Sequence, residues 1–179
     1  ATAAALFEQA LANEPGDKSK IAPPYAQALV GESTSILESD PNQAETLLKK
    51  AIELDLTNAE AFFNLGKLYT SKKEYAKAIK YYNKAIHLAR ISPDAFFNLG
   101  YIYTITKNYE RAQVMYGRVV ALRPAFTDEA LFNLAVIHEK LGDRDRCIKN
   151  LEQAVAFNPG NISAQKYLSQ LKKKTGDEG

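Results

Sequence analysis

The chain predicts an all-α fold, an elongated superhelical solenoid of stacked helix-turn-helix repeats, on three observations. The run Phe62-Phe63-Asn64-Leu65-Gly66 returns as Phe96-Phe97-Asn98-Leu99-Gly100 and, weakened, as Leu131-Phe132-Asn133-Leu134-Ala135, so the asparagines stand 34 and 35 residues apart. Each copy precedes a second helical pattern with small and bulky residues at fixed places, Ala78, Tyr82 and Ala85 in one and Ala112, Tyr116 and Val119 in the next. Pro124 and Pro159-Gly160 stop the later units. A unit of about 34 residues built this way cannot bury its apolar face alone and must stack on copies of itself, leaving a concave groove.

The elements follow in order. Phe7, Ala10 and Pro15 share the spacing of Tyr116, Val119 and Pro124. Residues 1–16 therefore read as the second helix of a truncated repeat, and the chain as a fragment of a longer protein. Gly16 to Ala22 reads as a loop insertion. Residues 23–58 form a divergent repeat: a first helix from about Pro23, where paired prolines fit a helix start, to Leu37, and a second from Pro41 to Leu54. Its Ala44, Leu48 and Ala51 lie 34 places before Ala78, Tyr82 and Ala85.

Full repeats occupy 59–92, 93–127 and 128–161. Their helix pairs are Ala59 to Ser71 with Glu74 to Ala89, Pro93 to Thr106 with Tyr109 to Leu122, and Asp128 to Leu141 with Arg144 to Phe157. Residues 162–174 begin like another first helix but put Gln165, Lys166 and Ser169 where apolar or small residues stood, as a solvating cap requires.

Composition narrows the function classes. The formal net charge is +2 over 179 residues with both signs interspersed, so general affinity for nucleic acid is not expected. No apolar run reaches membrane-spanning length and no secretory signal is visible. The single cysteine, Cys147, forbids an internal disulfide and weakly favours the cytoplasm, although a disulfide-free periplasmic protein has the same composition.

Gly66, Gly100 and Ala135 fall mid-helix, where glycine costs about 1 kcal/mol relative to alanine. Close helix approach is the expected compensation, with Ala78, Ala112 and Cys147 as the facing small surface. Tyr69, Tyr103, Tyr82 and Tyr116 then fill the space between repeats, their hydroxyls reaching hydrogen-bond partners at the edge.

Phe62, Leu65, Gly66, Tyr69, Ala78, Tyr82 and Ala85, and Phe96, Leu99, Gly100, Tyr103, Ala112, Tyr116, Val119 and Pro124, resemble the signature of the tetratricopeptide repeat. The third copy departs from it at Leu131, Ala135, His138, Cys147 and Leu151 and rests on register and Pro159. The resemblance implies a right-handed superhelix whose first helices line the inner face. In family register the groove positions are Glu60, Phe63, Asn64, Lys67, Thr70 and Ser71; then Asp94, Phe97, Asn98, Tyr101, Thr104 and Ile105; then Glu129, Phe132, Asn133, Val136, Glu139 and Lys140.

Asn64, Asn98 and Asn133 are the sharpest candidates, because an amide both donates and accepts and can bond a peptide backbone whatever its side chains. The alternative is that these amides bond a neighbouring repeat. The doubled Phe63, Phe97 and Phe132 widen the apolar face of each first helix. The family's two-carboxylate clamp for acidic C-termini is not matched: Phe63 and Lys67 precede Asn98, and Glu129 with Asn133 follow it, while Glu60, Asp94 and Glu129 repel a carboxylate. An extended or helical segment with apolar anchors fits better.

No catalytic site, metal site or cofactor is expected. His87, His138 and Cys147 are widely separated, and His138 and Cys147 replace core residues of the repeat. Lys72, Lys73, Lys77, Lys80 and Lys84 form a stripe on one second helix that reads as a solvated convex face rather than an RNA site. The partner is thus a protein or peptide, without nucleic acid or membrane insertion. Two further readings stay open: an array that self-associates into a homo-oligomer, and a substrate-recruiting domain of a linked enzyme.

Overall fold

A computed structural model describes residues 3–13, 18–89 and 92–176, and every regular element among them is an α-helix. The chain divides into two compact units, Ala1–Ala95 and Phe96–Gly179. The first holds α1 (Ala3–Asn13), α2 (Lys18–Ile36), α3 (Pro41–Leu54), α4 (Ala59–Ser71) and α5 (Tyr75–Ala89). Helix α6 (Pro93–Ile105) begins at the end of this unit, and the second continues with α7 (Tyr109–Leu122), α8 (Thr127–Lys140), α9 (Arg144–Phe157) and α10 (Ile162–Gly176).

Short polar side chains set the helix starts. The Asp40 carboxylate accepts from the Gln43 N–H at 2.9 Å, the Asn58 side chain from Ala61 N–H at 2.9 Å, Asn108 from Arg111 at 3.3 Å and Asp143 from Arg146 at 3.0 Å. Each satisfies an N–H that the first helical turn leaves without a partner. Turns between paired helices repeat as closely. Lys73, Lys107 and Gly142 take left-handed φ values of 58°, 60° and 76°. The following N–H of Glu74, Asn108 and Asp143 reaches back to the carbonyls of Tyr69, Tyr103 and His138, each at 2.8 Å. This six-to-one closure caps the orphan carbonyls of the first helix and reverses the chain.

In the first unit α2 pairs with α3 and α4 with α5, and α3 joins the two pairs through α4. Tyr25, Leu29, Leu48, Leu65 and Tyr82 are almost wholly buried there. Helix α1 lies against α2: Phe7 stacks on Tyr25 at 6.1 Å, and Glu8 pairs with Lys50 of α3 at 2.9 Å. In the second unit Leu131, Ala135, Cys147, Leu151, Ala154, Ala164 and Leu171 form one apolar cluster across α8, α9 and α10. Asp128, buried at the start of α8, accepts from Asn158 at 2.9 Å and Asn161 at 2.8 Å, fixing the entry to α10.

Two expectations need correction. Helix α2 begins at Lys18, so Lys18 to Ala22 is helix rather than loop, and Pro23-Pro24 lie inside the helix instead of opening it. Both prolines are exposed. Pro24 lacks the N–H that would reach the carbonyl of the exposed Lys20. Gly16 and Asp17 lie outside the described residues.

The second correction concerns what faces the mid-helix glycines. A Cβ on Gly66 would stand 2.6 Å from two ring carbons of Tyr82, and one on Gly100 2.8 Å from the Tyr116 ring. The nearest facing group is the tyrosine ring rather than Ala78 or Ala112. A helical side chain leans over the turn N-terminal to its own Cα. Each ring therefore covers the alanine's turn and meets the glycine first.

Candidate functional site

The predicted groove residues lie on α4, α6 and α8. Three and four residues apart on a helix, they share a face. In the first unit Asn64 is only 5% exposed, and no hydrogen-bond partner for its amide is found among the described residues. Phe63 is half-buried, its ring 5.6 Å from Tyr82 at 59°. Lys67 is exposed, and the half-buried Thr70 donates its hydroxyl to the Gly66 carbonyl at 2.8 Å.

In the second unit Phe97 meets Tyr116 at 5.4 Å and Phe126 at 5.5 Å, edge-on to both. Tyr101, one turn further along α6, is 47% exposed, and Ile105 is 39% exposed. Asn98 is half-buried between Phe97 and Tyr101 on that face, and Thr104 donates to the Gly100 carbonyl at 2.8 Å. On α8, Phe132, Asn133 and Val136 are half-buried and Glu139 is exposed. Phe132 lies 6.3 Å from Tyr167, whose hydroxyl is sealed from solvent and has no hydrogen-bond partner among the described residues. Burial, with Glu139 nearby, pushes that phenol's pKa up.

Each of the doubled phenylalanines is thus half-buried and packed against a tyrosine ring. The two threonines have each committed their proton to a carbonyl one turn back, and the Thr70 hydroxyl also meets the Tyr82 hydroxyl at 3.4 Å. Tyr82 and Tyr116 are pushed up to about 12 by burial and stay neutral phenols at ordinary pH. His138 is buried against Gln113, 3.3 Å from its amide, and burial lowers its pKa. Burial likewise raises the Cys147 thiol, the opposite of what a nucleophilic thiolate needs. Among the described residues no three His, Cys, Asp or Glu side chains gather as metal ligands, and no helix is long and apolar enough to cross a membrane.

Two features escaped the sequence reading. A cavity of about 270 Å³ in the first unit is lined by Glu60, Phe63, Ala85, Ala89, Ser92 and Asp94, among others. Its signal is the pair of alanines one turn apart at the end of α5. The second feature is a hub on Glu45, whose carboxylate accepts from the Tyr69 hydroxyl at 2.6 Å and pairs with Lys49 at 2.8 Å and Lys72 at 2.7 Å. The lysines and that phenol hold Glu45 at a pKa of about 2. Lys72 and Lys77 also lie over the Tyr69 ring, and Lys84 over Phe62. Much of the lysine stripe is engaged with its own chain.

Comparison with known proteins agrees with this geometry. Sequence models of the tetratricopeptide repeat match residues 59–90, 93–126 and 128–161, together more than half of the chain. A comparison with curated proteins found no match. Among solved structures, MamA is similar with a TM-score of 0.72 and 24% identity over 89% of each chain. PilF of Pseudomonas aeruginosa gives a TM-score of 0.75 and 20% identity over 85% of this chain and 69% of that one. Yeast Tom70 gives 0.73 and 20%, over 97% of this chain and 35% of Tom70. At these identities the likeness is one of fold.

Proposed function

The chain belongs to the tetratricopeptide repeat family of protein-interaction modules, and from that premise we propose that it is non-catalytic and holds an extended or helical peptide segment on its first-helix faces. The observation that carries the reading is the strip on α6. Tyr101 stands 47% exposed beside the half-buried Phe97 and Asn98, an aromatic anchor next to an amide suited to a peptide group. Asn133, Phe132 and Val136 repeat the pattern on α8. Helix α4 offers Phe63, Asn64, Lys67 and Thr70 in the first unit.

The test is capture of peptides from a displayed random library, with Asn98→Ala as the variant. The variant should stay folded and weaken the selected peptides by about 1–3 kcal/mol, the cost of leaving a backbone group unpaired. Equal binding by both would remove the amides from the account. A concentration-dependent dimer in light scattering, with no peptide captured, would transfer these faces to the self-association reading.

A further inference from the structure

The cavity in the first unit is framed by three elements: Glu60 and Phe63 on α4, Ala85 and Ala89 on α5, and Ser92 and Asp94 at the entry to α6. Its existence follows from the two alanines, since a longer side chain at either place would fill it. At about 270 Å³ it is roomier than the ~30 Å³ share of a single water and at the lower limit of small-molecule sites. It suits one long side chain of a bound polypeptide.

The chemistry of the walls selects that side chain. The lining is mostly apolar, with Phe63 half-buried, and the exposed Glu60 and Asp94 also border it. Glu60 accepts from the neutral Gln27 amide at 2.8 Å. That bond positions the carboxylate without cancelling its charge, and no cation pairs with Glu60 among the described residues. An acidic or purely apolar guest would leave the Glu60 charge opposed or desolvated.

We propose that this cavity receives an arginine side chain of the bound segment, its stem against Phe63, Ala85 and Ala89 and its guanidinium at Glu60. Arginine is favoured over lysine because a planar cation lies flat on an aromatic ring and meets a carboxylate with two parallel donors. The proposal rests on the peptide-binding reading above and adds the identity of one anchor.

Selection from a phage-displayed random peptide library separates the two. The parent protein should enrich peptides carrying arginine at one fixed position. A synthetic copy of the best peptide with that arginine replaced by glutamine should bind about three- to tenfold more weakly. Glu60→Gln should lose the arginine preference and melt like the parent, whereas Glu110→Gln, the same charge change at an exposed site on α7, should keep it. Peptides selected without a basic position, or an arginine preference that survives Glu60→Gln, would overturn the cavity assignment and leave the peptide-binding reading standing. Failure to select any peptide over an unrelated helical protein would overturn both.

Discussion

The Tyr82 ring lies on Gly66 so closely that a single methyl group on that glycine would come within 2.6 Å of two ring carbons. Tyr82 is wholly buried, so its ring has little room to withdraw. Two effects oppose each other in Gly66→Ala: helix propensity gains about 1 kcal/mol, and overpacking costs about 1–3 kcal/mol. Overpacking wins here. Thermal or denaturant unfolding should show Gly66→Ala destabilised, and adding Tyr82→Leu should recover part of the loss by making room. The third repeat already has that combination, with Ala135 and Leu151 in one cluster. A double variant less stable than the sum of its singles would contradict the packing.

Lys73 and Lys107 turn the chain with φ of 58° and 60°, a conformation that costs an L-residue with a Cβ about 1–2 kcal/mol and glycine almost nothing. Gly142 occupies the matching place in the next repeat. Lys107→Gly should therefore stabilise the chain, by about 0.5–1 kcal/mol after the greater freedom of glycine in the unfolded chain is subtracted. Gly142→Ala should destabilise it. Equilibrium denaturation of the two variants checks the pair of signs.

Glu45 is held at about 2, below its usual 4.5, chiefly by its bonds to Lys49, Lys72 and Tyr69. A carboxyl whose folded pKa is depressed stabilises the fold fully above its unfolded value, and that stability drains away as pH falls from about 4.5 through 2. Glu45→Gln should cost about 1–2 kcal/mol at neutral pH. Stability curves of parent and variant should converge in acid. Parallel curves across that window would mean that the hub contributes no linkage.

Tyr101 separates binding from folding. At 47% exposure its truncation to alanine should change stability by no more than about 0.5 kcal/mol. A peptide selected on the parent should lose about 1–2 kcal/mol of affinity if the ring is an anchor. Fluorescence anisotropy with that peptide, alongside a melt, reads both.

Asp128 accepts from two asparagines in a buried setting. Asp128→Ala strands both amides and should destabilise the second unit by about 1–3 kcal/mol, read by hydrogen exchange at the start of α10.

The helix pairs were legible because repetition wrote them several times: Phe62-to-Gly66 and its copies set the register, and Pro93 and Pro124 marked ends. Helix α2 was misread at its start because Pro23-Pro24 is a local signal, and its neighbours decided otherwise. The glycine's true neighbour was hidden for a different reason. Spacing pairs Gly66 with Ala78 as readily as with Tyr82, and only the lean of the ring decides. Candidate peptide contacts came from register, whereas the cavity beside Phe63 depends on what Ala85 and Ala89 lack. The Glu45 hub joins residues of two different repeats, which a motif confined to one unit does not display.

The exchange of Gly66 and Tyr82 for Ala135 and Leu151 limits how such a protein can be recombined. A chimaera that swaps a complete hairpin carries both members of the pair and keeps its fit. Grafting only the leading helix of the third copy into the first would set a methyl beneath a phenol, and the reverse graft would leave a hollow. The unit of inheritance in this array is the hairpin, and crossovers should be tolerated between hairpins rather than inside them.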